Sequence, residues 1–171
     1  MNINVSMWVI NISKKHSKFK ADDPNHVFVI AEAGSNWKCG TFDEDLKRAK
    51  ELIDVAVNAG ADAVKFQTYR PESIYVPNAG QSSYLSKKGI DDNIYDIFEY
   101  LSMPYEMISK LAKYCKSKKI MFMSTPFSIS DAKEVNPYVS VHKVASYRSE
   151  EHTSELQSHH DLVCRLLLEK K

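Results

Sequence analysis

VFVIAEAGSN (27–36) and DAVKFQT (62–68) are two apolar, β-rich runs, each closing on polar side chains able to do chemistry, and what joins them decides the fold. Thr41 followed by Glu44 has capping-box spacing. Leu46, Ala49, Ile53, Ala56 and Val57 recur at i, i+3, i+4 intervals and give one apolar helix face. Asn58 closes the last turn, and Gly60 supplies a left-handed stop. The reading is a strand over 27–31, a helix over 41–59 and a strand over 63–68. Strand, helix and strand with short joints make a βαβ unit, which implies a parallel crossover.

The same logic runs outward through IMFMSTPFS (120–128) and VHKVAS (141–146). A helix is expected from Ser102-Met103-Pro104, with Pro104 at its first position and Met107, Leu111 and Cys115 on its buried side. A third strand is expected over 120–124, a brief helix over 130–135 that stops before Pro137, and a fourth strand over 139–144. Residues 69–100 are long for a connection; Pro71, Pro77, Gly80 and Gly89 punctuate them, and IYDIFEYL (94–101) reads as a short helix. Ordered excursions of this length are often functional. Residues 1–26 form an N-terminal extension, with MNINVSMWVINIS a strand or hairpin arm and a polar connector after it. The alternation from 27 onward has no hairpin, so the expected class is α/β, a doubly wound sheet or a β/α barrel. Parallel strands covered on both faces read as near-continuous apolar runs and carry function at their carboxyl ends.

Composition narrows the function. The 171 residues carry 26% charged and 43% hydrophobic side chains and a net charge of +1, which points to neither nucleic acid nor an anionic membrane. Cys39, Cys115 and Cys164 are scattered, which is no disulfide framework and suits a reducing cytoplasm. No run reaches transmembrane length, and the amino terminus lacks the pattern of a signal peptide.

From Arg148 the character changes. RSEEHTSELQSHHDLVCRLLLEKK (148–171) has no βα logic and resembles the in-frame translation of a common sequencing-library adapter, with index bases at His159–Asp161 and trailing adenines at the end. On that reading 148–171 is an artefactual tail, and its His159, His160, Asp161 and Cys164 are not a metal site.

IAEAGSN, GADAVKFQT, MSTPFS and HKVAS, in this order and spacing over residues 27–147, resemble the sialic acid synthase family, which includes the N-acylneuraminate, legionaminic and pseudaminic acid synthases. The resemblance implies the first half, about four βα units, of a TIM (β/α)8 barrel, usually followed in the family by a small antifreeze-like domain. It implies condensation of phosphoenolpyruvate with an N-acylated hexosamine such as N-acetylmannosamine. C3 of phosphoenolpyruvate attacks the sugar aldehyde, water adds at C2, and phosphate leaves with C–O cleavage. A divalent metal, manganese or magnesium, activates the aldehyde in the family. Its histidine ligands belong to the half not present here, so no metal residue is assigned. A homodimer is implied for the full-length parent only, and the fragment is expected to be inactive.

The resemblance also implies roles. Glu32 aligns with a glutamate beside the reacting sugar, an acid/base candidate. Lys65 aligns with a phosphoenolpyruvate-binding lysine; a lysine on a buried strand is costly unless paired, and an anion is a good partner. Gln67, two residues on, shares its side of the strand. Lys143 and Ser146 align with contacts to the phosphate and carboxylate, and Thr125 offers a hydroxyl in the turn after the third strand. Asn36 belongs to the first loop; the family's following histidine is here Trp37, read as a stacking wall. Two alternatives stay open: another phosphoenolpyruvate-condensing barrel of the 3-deoxy-octulosonate phosphate synthase kind, and a non-catalytic phosphate-binding α/β module.

Overall fold

The computed structural model describes residues 6–10, 26–81, 86, 89, 91–144 and 167–169. At its centre three parallel strands, β2 (Phe28–Gly34), β3 (Ala63–Thr68) and β4 (Met121–Pro126), pair in chain order. Helix α1 (Phe42–Asn58) joins the first two, and helices α2 (Ile94–Tyr100) and α3 (Tyr105–Lys118) lie between the second and third. Helix α4 (Ile129–Val135) leads to β5 (Val141–Lys143). An antiparallel arm, β1 (Ser6–Ile10), covers the outer edge of β2.

Two expectations need correction at β5. It is three residues long instead of six, and it packs beside β4 without joining the parallel ladder. Its backbone partner is instead β6 (Leu167–Glu169), antiparallel. β3 keeps its expected span, whereas β2 and β4 run past their expected carboxyl ends, so Glu32 and Thr125 sit within strands and not in the loops after them.

The periodicities act as expected in the helices. In α1 the carboxylate of Glu44 accepts from both the backbone N and the hydroxyl of Thr41. Its C-terminus closes as a Schellman turn, with Ala61 N donating to Ala56 O, Gly60 N to Val57 O, and Gly60 at φ +75°. Pro104 is the N-cap of α3, one position before the expected one. Ala49, Leu52, Ile53 and Ala56 of α1 and Met107, Ile108, Leu111 and Cys115 of α3 bury against Ala31, Val64, Phe66 and Phe122. Burial pushes the Cys115 thiol up to about 12, so it packs as an inert apolar group. Among the described residues no helix is long and apolar enough to cross a membrane.

Strand alternation sends the other set of side chains to the opposite face. Near the amino ends of the strands that face is apolar, with Phe28, Ile30, Ala63, Met123 and Val141 clustered together. One step toward the carboxyl ends, the same parity brings Glu32, Lys65, Gln67, Thr125 and Lys143. The inner face therefore changes from oily to charged along its length.

The loop leaving β2 is pinned by a residue of α1. Asp45, 2% exposed, accepts from Lys38 Nζ at 2.7 Å, Cys39 N at 2.7 Å and Gly40 N at 2.9 Å. Burial opposes its ionisation, but these three donors outweigh burial and hold the carboxyl below its ordinary range. A group of this kind contributes stability above its unfolded pKa, and that stability is lost as pH falls through the folded pKa. Asp45→Asn is expected to cost about 1–3 kcal/mol at neutral pH. Denaturant titrations should show the gap to the parent chain closing below about pH 4.

Candidate functional site

The polar end of the inner face is built from four strands. Register places Glu32 opposite Lys65 and Gln67 opposite Thr125. A ladder irregularity between Glu32 and Gly34 brings both of those residues to face β3, with Gly34 at φ +53°. Lys65, 4% exposed, forms an ion pair with Glu32 Oε2 and donates to Thr125 Oγ1 at 3.3 Å. An ammonium group this deep is tolerable because a charge and a hydroxyl both face it.

Lys143 enters from β5. Burial first, then the positive charge of Lys65, pulls its pKa below the ordinary lysine value, and Glu32 opposes the shift. Lys65 pairs with Glu32 while Lys143 stands near enough to feel both charges, so lysines outnumber carboxylates in the cluster. The second oxygen of that carboxylate, Glu32 Oε1, is buried and finds no hydrogen-bond partner among the described residues. This combination suits a small anion carrying several charges, with an adjacent group that accepts a hydrogen bond or moves a proton.

The cluster is a poor holder of a cation. Its one carboxylate is engaged by Lys65, and among the described residues no group of three His, Cys, Asp or Glu side chains is gathered to hold a metal ion. The divalent metal implied by the resemblance does not fit these residues, and no step is assigned through it.

The structure brings together Glu32, Lys65, Thr125 and Lys143, and keeps Gln67 half-buried on their face. Asn36 lies elsewhere, exposed in a turn whose carbonyl accepts from Arg48 Nε at 3.0 Å. Ser146 lies outside the described residues. Trp37 is no stacking wall: it is 1% exposed and packs in the core between the sheet and the helices. Ser124 has the opposite parity to Thr125 and shares a hydrogen bond of 2.8 Å with Thr68 on the helix side. His142 is half-buried and pairs with Asn136 Oδ1 at 3.3 Å.

One functional feature escaped the pattern reading, the closing of the 69–100 excursion at its neck. Arg70 Nη1 lies 2.8 Å from Tyr69 O, 2.6 Å from Ser102 Oγ and 2.9 Å from Met103 O. Ser102 Oγ donates in turn to Tyr69 O at 2.9 Å. An arginine two residues beyond a strand is an ordinary surface residue by pattern, and two of its three acceptors are more than thirty residues away.

Known proteins resemble this chain. The NeuB family model matches residues 52–159, a stretch that runs past the end of β5. The spore coat polysaccharide biosynthesis protein SpsE of Bacillus subtilis is 39% identical over 124 residues, covering 71% of this chain and 31% of that protein. Pseudaminic acid synthase of Campylobacter jejuni is 32% identical over 126 residues, covering 72% of this chain and 35% of the relative. The N-acetylneuraminic acid (sialic acid) synthetase of Leptospira borgpetersenii, solved with citrate, superposes with a TM-score of 0.56 at 25% identity, over 75% of this chain and 41% of that one. The chain thus spans about a third of the length of the curated relatives it matches. With a family model matched over more than half its residues and the motif side chains gathered on one face, the chain belongs to the NeuB family.

Proposed function

We propose that this chain is the phosphoenolpyruvate-binding part of a nonulosonic acid synthase, whose parent joins phosphoenolpyruvate to an N-acylated hexosamine and releases phosphate. The observation that carries the reading is the Glu32–Lys65–Thr125–Lys143 cluster at the carboxyl ends of the strands in a NeuB-family chain. Lys65 and Lys143 neutralise the phosphate and carboxylate of the substrate, and Thr125 orients one of them. Gln67 and Ser146 complete the substrate contacts. Glu32 keeps one oxygen for the sugar, to accept a hydroxyl proton or return one.

The four βα units are the first half of an eightfold barrel, and the true domain is 27–147. β6 belongs to the foreign tail and takes up the edge of β5. The fragment binds phosphoenolpyruvate without turning it over. The parent works in the cytoplasm as a homodimer and draws its divalent metal ligands from the half beyond this chain.

Isothermal titration of the 171-residue chain with phosphoenolpyruvate tests the reading. Binding is expected, and Lys65→Met should weaken it about 10- to 100-fold, since a buried charge-assisted contact is lost. A parent chain that releases no phosphate from phosphoenolpyruvate with any N-acyl hexosamine would favour the octulosonate-type alternative.

The same cluster predicts a trade of stability for binding. The folded pKa of Lys143 is below its unfolded value, so its charged form opposes folding. That opposition is complete below the folded pKa and fades as pH rises through it toward the unfolded value. Lys143→Met should therefore raise the melting temperature of the ligand-free chain at pH 7 and lose the anion. The gain should shrink at alkaline pH, as calorimetry across pH would show. Glu32→Gln should lower the melting temperature, because it leaves Lys65 buried without its counter-charge.

A further inference from the structure

Arg70 does more than close a loop. Its guanidinium carbon lies 3.7 Å from the ring centroid of Tyr105, the first residue of α3, so the plane stacks on the ring while one nitrogen ties the neck of the excursion. The hydroxyl of Tyr105 donates to Asp131 Oδ1 at 2.8 Å. Asp131 is 0% exposed; its other oxygen accepts from Ser128 Oγ at 2.6 Å, and its backbone N donates to the same hydroxyl. Burial and Asp131 push the Tyr105 phenol up to about 12, so it remains a donor at every physiological pH. Ser128 caps α4, the helix that leaves the turn after Thr125.

Two further contacts complete the circuit. Phe127 N donates to Thr68 O at 3.1 Å, tying the end of β4 to the end of β3, and the rings of Tyr69 and Phe127 meet edge-on at 5.4 Å. On the excursion, Phe98 of α2 packs between Tyr69 at 5.2 Å and Tyr75 at 5.0 Å. Tyr100 of the same helix takes Lys38 Nζ over its ring at 5.0 Å, which joins the excursion to the loop after β2. One side chain thus sits where the end of β3, the neck of the excursion and the turn after β4 converge.

We infer that Arg70 is a positioning residue of the anion site: it ties Tyr69 to Ser102 and Met103 at the neck of the 69–100 excursion and, through Tyr105, Asp131 and Ser128, fixes the turn that follows Thr125 at the end of β4. It touches no substrate. This role rests on the phosphoenolpyruvate-binding reading above. Lysine is a poor replacement, because its ammonium lacks the flat face that lies over the Tyr105 ring while one nitrogen, Nη1, reaches the neck.

The test uses the 171-residue chain, Arg70→Lys, Arg70→Ala and phosphoenolpyruvate as the probe, at temperatures where each variant is folded. Amide exchange by mass spectrometry should quicken across 71–75 and 94–101 in Arg70→Lys, while the β3 and β4 ladder stays protected. Affinity for phosphoenolpyruvate should fall about tenfold in Arg70→Lys, and added methylguanidinium should restore part of the affinity of Arg70→Ala. Unchanged exchange in the excursion would overturn the inference. So would quickened exchange with unchanged affinity, which would leave Arg70 a purely structural staple. An unsubstituted 171-residue chain that binds no phosphoenolpyruvate would overturn the positioning role together with the reading it rests on. The inference failing alone is a different result: the unsubstituted chain binds, and Arg70→Lys binds equally well.

Discussion

The pairing of Lys65 with Glu32 across β2 and β3 is the constraint on which the rest depends. An ammonium group 4% exposed within a sheet needs a counter-charge at a fixed place. Register supplies that place, and a one-residue slip of β3 would turn Lys65 to the helix face, toward Leu52 and Ile53 and away from Glu32. The parallel crossover through α1 and its burial of Leu52 and Ile53 hold the register. The helix side carries the weight of folding, which frees the inner face to hold two lysines against one carboxylate.

That separation explains the gradient along the inner face. Phe28, Ile30, Ala63, Met123 and Val141 fill the end where the strands begin, and the same alternation delivers charge where they finish. A folded chain gains nothing by gathering Lys65 and Lys143; burial and mutual repulsion both act against the second lysine. Such a local conflict between folding and composition is what the proposed anion site would require.

Much of this was legible in the chain. The span of β3 and the bounds of α1 follow from turn chemistry and periodicity, since Thr41, Glu44 and Gly60 act locally. Lys65 and Gln67 were assignable to one face because alternation is a property of the strand alone. What stayed hidden depends on neighbours far along the chain. Trp37 stands between polar residues and reads as exposed, yet packing from the helices buries it. β5 read as a full parallel strand, but whether it joins the ladder depends on β4 and β6, which sequence pattern does not weigh. The role of Arg70 requires Ser102, Met103 and Tyr105 to be brought back beside β3, and no local signal announces that.

Gly34 has a consequence for which substitutions this site tolerates. Its left-handed backbone would cost an ordinary residue about 1–2 kcal/mol. A β-carbon there would also lie 3.5 Å from Glu32 Oε1, within van der Waals contact of the cluster's one spare acceptor. Alanine would fit by volume, so the cost of the exchange is backbone strain and not a clash. The glycine is thus required by its backbone angle, and the oxygen beside it is already closed to solvent by the fold.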